Sequence, residues 1–342
     1  MSIQIELRRI VEARETLSRD EAAALMVKIL GSEASEVEVA GLLGALAGRG
    51  ETAAEIAGFA ATMRAAATML PLTDAEQAEL VDTCGTGGDA SGSFNISTAA
   101  ALVAAAAGAK VAKHGNRAVT SRCGSADVLE AMGVPVTLAP EAAVAALRQH
   151  GFCFLLAPSH HPAMKAVMPV RRALGVRTVL HVLGPLLNPA GARRQVMGVY
   201  QPRLVPLVAE AMTLLGAKHA MVVCGENGMD ELAISGPSHV AEVFRSPNGE
   251  GSVREYVVMP EDFGLQRAPM SALRGGDAVE NAAILTSIFA GETGPRRDVV
   301  LLNAAAVLVT AGVAKDIGAG LTIAADAIDA GKVTQLVDAL RV

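Results

Sequence analysis

The sequence predicts an α/β protein, with a small all-helical N-terminal domain and a larger domain built on a mostly parallel central sheet flanked by helices. Three observations predict it. The first 70 residues carry apolar positions at helical spacing behind three capping boxes. From about residue 76, short apolar runs alternate with helical ones, the rhythm of βαβ units. Glycines punctuate the ends of the intervening helices, where left-handed backbone is needed. The helical domain is assigned to 1–75, rejoined by helices from about 163–190, and the α/β domain to 76–342.

In order along the chain, Ser18-x-x-Glu21, Ser35-x-x-Glu38 and Thr52-x-x-Glu55 each open an apolar-periodic run. Gly31 and the Gly48-Arg49-Gly50 cluster close two of them, and Pro71-Leu72-Thr73-Asp74 breaks the pattern. A four-helix unit of this size buries little alone, so it should pack on the rest of the chain or on a second subunit. Gly41, Gly44, Ala45 and Ala47 would permit close helix contact, and dimerisation through this unit is expected.

Strands are predicted at 80–83, 110–113, 134–138, 152–157, 196–200 and 220–224, with helices between them ending at Gly108, Gly133, Gly151 and Gly216. The segment 162–189 interrupts this rhythm with helical sequence. Residues 240–258 read as extended structure around a Pro-Asn-Gly turn, and three or four helices close the chain. In such sheets, ligands sit outside the carboxyl ends of the strands.

Composition sets bounds. The chain has 342 residues, 51% hydrophobic but only 3% aromatic, so the core should be close-packed aliphatic strands and alanine-rich helices. The formal net charge is −6 with no basic block, which argues against a nucleic-acid surface. Four scattered cysteines without a C-x-x-C pair read as reduced thiols. The N-terminus lacks the blocks of a signal peptide, and no apolar run approaches a membrane span, so a cytoplasmic protein is expected.

The most informative stretch is Val81-Asp82-Thr83-Cys84-Gly85-Thr86-Gly87-Gly88-Asp89, followed by Asn95-Ile96-Ser97-Thr98 and an alanine-rich run. Gly85, Gly87 and Gly88 can take positive φ and leave backbone N–H groups open, and Ser97 and Thr98 stand where helix-capping hydroxyls belong. Strand, glycine turn and helix N-terminus together make an anion site, most often for phosphate. A P-loop is excluded because no Gly-Lys-Ser/Thr ends the turn. Gly85, Gly87 and Ala90 match the dinucleotide pattern, but the next strand ends in Lys113-His114, where an acid should hold a ribose.

Lys113-His114-Gly115-Asn116-Arg117 lies at the same sheet edge, and its cations suit a polyanion. Ser125 is placed to cap the helix that follows, giving a second anion-binding helix end. Asp230-Glu231 follows a predicted strand, and adjacent carboxylates on a turn suit Mg²⁺ that also takes phosphate oxygens and water. His160-His161 would need further Cys or His ligands to hold zinc, so these residues read as pocket lining.

Gly85-Thr86-Gly87-Gly88-Asp89, Asn95-Ile96-Ser97-Thr98, Lys113-His114-Gly115-Asn116-Arg117, His161-Pro162-Ala163-Met164, Leu183-Gly184-Pro185-Leu186-Leu187-Asn188-Pro189 and Asp230-Glu231 occur in the order found in the anthranilate phosphoribosyltransferases. The chain resembles that family nearly end to end. The resemblance implies transfer of phosphoribose from 5-phosphoribosyl diphosphate to the amine of anthranilate, in tryptophan biosynthesis, by a homodimer joined through its helical parts.

It further implies that Gly85, Gly87, Gly88 and Asp89 cradle diphosphate and ribose, with Asn95, Ser97, Thr98 and Lys113 on the phosphates. His114, Gly115, Asn116 and Ser125 complete that subsite. Ser97, Asp230 and Glu231 would serve Mg²⁺, two ions per subunit. Gly85, Asn116, Arg171, His114, His161 and Pro185 would receive anthranilate. No acid or base is nominated, since an aromatic amine is already neutral near pH 7 and positioning carries the rate. Arg122-Cys123 stands where the resemblance puts Lys-Ser, so charge is kept and a hydroxyl donor to the phosphoribosyl group is lost. The rival readings are a pyrimidine nucleoside phosphorylase, which would not need the acidic pair, and a non-catalytic nucleic-acid-binding relative, which should show a basic face.

Overall fold

A computed structural model describes residues 2–118 and 121–341. Its N-terminal part holds the helices Gln4–Val11, Arg19–Leu30, Glu36–Arg49 and Ala53–Ala65. All three sequence-read capping boxes form: Ser18, Ser35 and Thr52 accept from the backbone N–H of Glu21, Glu38 and Glu55, whose carboxylates return to the cap N–H. Each such cap stabilises its helix by about 1 kcal/mol. A fourth box, Thr73 with Glu76, opens a short helix Asp74–Glu79, where the sequence reading saw only a break. The close helix approach falls at Gly58, where a Cβ would overlap the Arg19 carbonyl, whereas Gly44 has nothing within 4 Å.

Seven strands form one sheet: β1 Leu80–Asp82, β2 Lys110–Gly115, β3 Phe152–Leu156, β4 Arg194–Gly198, β5 His219–Cys224, β6 Ser238–Arg245 and β7 Gly251–Val258. Their order is β3-β2-β1-β4-β5-β6-β7. The first five run parallel, and β6 and β7 add an antiparallel hairpin around the Pro247-Asn248-Gly249 turn. After β1 the chain builds outward to β2 and β3, and then returns to lay β4 on the other side of β1. The strand order therefore reverses between β1 and β4, and a crevice opens there at their carboxyl ends.

Residues 134–138, expected as a strand, form none. Val134 and Val136 are buried on the core without a pairing partner, and Val134 N–H instead closes the preceding helix on Leu129 O at 2.9 Å. The alternation marked one-sided burial, which does not require a ladder.

The two faces of the sheet carry different cores. On one, the alanine-rich helix Ile96–Ala106 packs with Pro295–Ala311 and the C-terminal helices Ile317–Asp329 and Lys332–Leu340. On the other, helix Leu204–Leu214 lies between β5, β6 and helix Ala53–Ala65. The segment after β3 supplies helices Met168–Leu174 and Val179–Leu183, whose Val170, Val179 and Leu180 bury against the N-terminal helices. No helix among the described residues is long and apolar enough to cross a membrane.

Candidate functional site

The glycine turn leaves β1 at the point where strand order reverses. Gly87 and Gly88 have φ of 64° and 72°, as the turn requires, and Ala90 also adopts positive φ. Gly85 has a different reason to lack a side chain, since a Cβ there would lie 3.0 Å from Asp230 Oδ2 and 3.1 Å from Gly198 O. Thr86 N–H donates to Gly198 O at 2.9 Å and ties the turn to β4.

Asp230 and Glu231 follow β5 through a tight turn containing Asn227 at φ 60°. They close the crevice from the opposite side. Gly87 N–H donates to Asp230 Oδ2 at 2.7 Å, and Ser97 N–H donates to Glu231 Oε1 at 3.1 Å. Both carboxyls are pushed up from their ordinary range, first by burial and then by like charge: Asp89 beside Asp230, and Asp230 beside Glu231. Lys113 opposes the rise at Glu231. Asp89 Oδ1 accepts from Ser91 N–H at 3.2 Å, while its Oδ2 is buried without a partner.

Three half-buried acids drawn this close together fit a hard divalent cation, which takes carboxylate oxygen. Among the described residues no three His, Cys, Asp or Glu side chains converge on one such position. A cation here would need oxygens from a ligand or water to complete its shell.

Lys113, at 2% exposure, runs beneath the turn from β2. Its Nζ donates to Thr83 Oγ1 at 2.8 Å and, more weakly at 3.4 Å, to Thr83 O and Ser97 Oγ. Asn95 is held by three hydrogen bonds to two neighbours, Asn281 and Cys123. Asn281 Nδ2 donates to its Oδ1 at 2.8 Å, the Cys123 thiol donates to the same oxygen at 3.3 Å, and Asn95 Nδ2 donates to Cys123 O at 3.3 Å. Thr98 is buried with its hydroxyl unpartnered.

Two expected caps are corrected. Helix Ile96–Ala106 starts ahead of Ser97 and Thr98, which sit in its first turn, so neither is the capping residue; Asn95 is at the cap, its side chain bonded to Cys123 and Asn281 and not to the helix amides. Ser125 is the first residue of helix Ser125–Ala131, and Asp127 takes the capping role by accepting from Gly124 N–H at 2.8 Å. Ser125 Oγ instead donates to Asn116 O at 3.2 Å. Gly115 is glycine because a Cβ would overlap Ser125 Oγ and crowd the Phe154 ring.

His114 and His161 meet edge to face with ring centroids 5.1 Å apart. Burial pushes His114 down to about 3 and His161 to about 4, so both are neutral near pH 7. Pro185 is buried nearby in chain with the Leu183-to-Pro189 run, but Arg171 stands on helix Met168–Leu174, partly buried. Arg171 forms no ion pair among the described residues, and no hydrogen bond ties it to His114, Asn116 or His161. His160 is structural, its Nδ1 lying 2.9 Å from Thr68 O.

The sequence reading missed several supporting residues. Asp82, buried at the end of β1, accepts through Oδ1 from the N–H groups of Thr83, Cys84 and His114 at 2.7, 3.2 and 3.0 Å. Burial pushes it up to about 6, with Lys113 pulling the other way. It fixes where β1 and β2 end relative to each other. Arg177 donates to Gly88 O and lies 4.1 Å over the Tyr200 ring, joining the turn to the helical side. Only the Asp82 in Val-Asp-Thr-Cys offered a signal, as an acid inside an apolar strand.

Comparison with known proteins places this geometry. Residues 77–334 match the glycosyl transferase family, a/b domain, and residues 6–67 match the helical bundle domain of the same family. The anthranilate phosphoribosyltransferase of Chloroflexus aggregans is 50% identical over 94% of this chain and 93% of that protein. That of Brevibacillus brevis is 49% identical over 95% of this chain and 93% of its own length. The crystal structure of anthranilate phosphoribosyltransferase from Thermus thermophilus superposes with a TM-score of 0.89 at 43% identity, covering 98% of each chain. The Saccharomyces cerevisiae enzyme in complex with PRPP and Mg gives a TM-score of 0.87 at 26% identity, covering 98% of this chain and 96% of its own. Agreement that runs through both domains at half identity leaves one assignment: the chain belongs to the anthranilate phosphoribosyltransferase family.

Proposed function

We propose that this protein transfers phosphoribose from 5-phosphoribosyl diphosphate to the amine of anthranilate, giving N-(5-phosphoribosyl)anthranilate and diphosphate in tryptophan biosynthesis. One observation carries the reading. Asp230 and Glu231, with carboxyls raised by burial and then by Asp89 beside Asp230 and Asp230 beside Glu231, meet the amides of Gly87 and Ser97 in the crevice between β1 and β4. The Saccharomyces cerevisiae relative has been solved in complex with PRPP and Mg, and in complex with 4-fluoroanthranilate.

In the reaction, the C1–O bond of the ribose breaks and its electrons leave with diphosphate, while the anthranilate nitrogen forms the new bond to C1 and then releases a proton to water. Mg²⁺, when bound by Asp230, Glu231 and Ser97, neutralises charge on the diphosphate. Two ions per subunit suit an acidic pair reinforced by Asp89. Lys113, set beneath the turn beside Ser97, adds fixed positive charge where the leaving group gains negative charge. Gly85, Gly88, Asn95, Thr98, Gly115, Asn116 and Ser125 shape the phosphoribosyl subsite. His114, His161 and Pro185 give anthranilate an uncharged wall, and the guanidinium of Arg171 is the cation for its carboxylate.

The active form is a homodimer joined through the helical part. Ile5, Val27 and Val37 support this, being 74, 57 and 82% exposed on three N-terminal helices. A cytoplasmic setting suits four unpaired cysteines. The test is anthranilate fluorescence, which should fall only when 5-phosphoribosyl diphosphate and Mg²⁺ are both present. No loss at any metal concentration would remove the assignment.

A further inference from the structure

Gln195 lies on β4 opposite Asp82 of β1, 6% exposed. Its Nε2 donates to two carbonyl oxygens from distant parts of the chain, Cys84 O at 3.0 Å and Pro185 O at 2.9 Å. An amide nitrogen carries two hydrogens, so both are committed, one to each carbonyl. Cys84 is the residue before Gly85 and carries the glycine turn. Pro185 belongs to the wall beside the two neutral histidines. No other hydrogen bond among the described residues joins 84–89 to 183–189.

We infer that Gln195 is a positioning residue that sets the spacing between the diphosphate turn and the acceptor wall, and so the approach of the amine to the ribose carbon. The inference rests on the proposed transferase reading. Its physical basis is that a bimolecular displacement in a site without a general base depends on alignment, and misplacement by about 1 Å costs on the order of 100-fold in rate. The turn itself has other supports, Thr86 N–H on Gly198 O and Gly87 N–H on Asp230. The wall is likewise pinned further along, by Arg64 on Leu186 O and Asn188 on Ala112 O, but the Pro185 carbonyl has Gln195 as its one hydrogen-bond partner among the described residues, so loosening the bridge should move Pro185 relative to a diphosphate subsite that stays formed.

The experiment compares wild type with Gln195→Met, which keeps the length and removes the donor, and Gln195→Glu, which keeps the shape and turns an acceptor toward both carbonyls. In Gln195→Met, KM for anthranilate should rise about tenfold and kcat should fall about tenfold or more, with KM for 5-phosphoribosyl diphosphate within about threefold. Gln195→Glu should be worse on the same two parameters. Thermal midpoints are recorded alongside, because a merely structural role lowers the active fraction, hence kcat, and leaves both KM values in place. Unchanged kinetics in both variants, or a loss of kcat that follows the midpoint with both KM values fixed, would overturn the inference. A wild-type protein that transfers no phosphoribose to anthranilate would overturn the reading beneath it instead.

Discussion

Gly198 and Asp230 meet backbone to backbone: a Cβ on Gly198 would overlap the carbonyl of Asp230. The last residue of β4 thereby holds the base of the acidic turn, and its own carbonyl receives Thr86 N–H from the glycine turn. One residue without a side chain spaces both walls of the crevice.

Gly198→Ala is therefore expected to destabilise the protein by about 3 kcal/mol, since the atom in the way is backbone and cannot swing aside. Denaturant midpoints measure this. Transferase activity in whatever remains folded should be strongly reduced, because Asp230 must shift. A midpoint and kcat equal to wild type would show that the acidic turn is not seated on Gly198.

Asp230→Asn with Glu231→Gln should trade function for stability. Each carboxyl is raised in the fold, so the folded protein favours the neutral form and is penalised as pH climbs above the unfolded values. The stability of the double variant relative to wild type should accordingly grow from about pH 4 to about pH 7.5, measured without metal. Turnover should drop by about 100-fold or more, and the rise in thermal midpoint on adding Mg²⁺ should disappear. A double variant less stable than wild type at neutral pH would contradict the picture of uncompensated charge.

His114 and His161 are neutral down to about 3 and 4, so neither changes charge in the physiological range. The profile of kcat/KM against pH should show no imidazole step between about pH 5.5 and about pH 8. A step near the ordinary histidine value that vanishes in His161→Asn would mean that His161 titrates during catalysis.

The Cys123 thiol is pushed up to about 11 by burial and donates its proton to Asn95 Oδ1. A thiol so placed is neither nucleophile nor redox centre. Cys123→Ser puts a shorter hydroxyl donor in the same place, and kcat with both KM values should stay within about threefold, under ~1 kcal/mol in barrier terms. A loss beyond tenfold would give the sulfur a role that a hydroxyl cannot fill.

What could be read from the chain alone was set by local chemistry. Glycines at Gly87, Gly108 and Gly151 mark positive φ, and Ser-x-x-Glu boxes mark helix starts, because the cause of each lies within four residues. The errors came where two local rules competed. Ser97 and Thr98 carry capping hydroxyls, but the apolar Ile96 already belongs to the buried face, so the cap falls at Asn95, two residues ahead of Ser97. Ser125 lost its cap because Asp127 reaches Gly124 N–H with a stronger, charged acceptor. Gln195, Asn281 and Arg177 were not legible, since each acts on a carbonyl or amide more than 80 positions away and no spacing in the sequence announces it.

The apolar core that runs from Leu25 and Phe59 through Val208 to Val222 and Ala241 leaves no seam between bundle and sheet on that side. The two parts that the sequence separates at residue 75 are thus bound to melt together, as one cooperative transition rather than two. Excised alone, the α/β portion would turn the outer side of helix Leu204–Leu214 to water and would self-associate. Substitutions in the first 65 residues, far from any phosphate, therefore tax the whole enzyme's lifetime in solution.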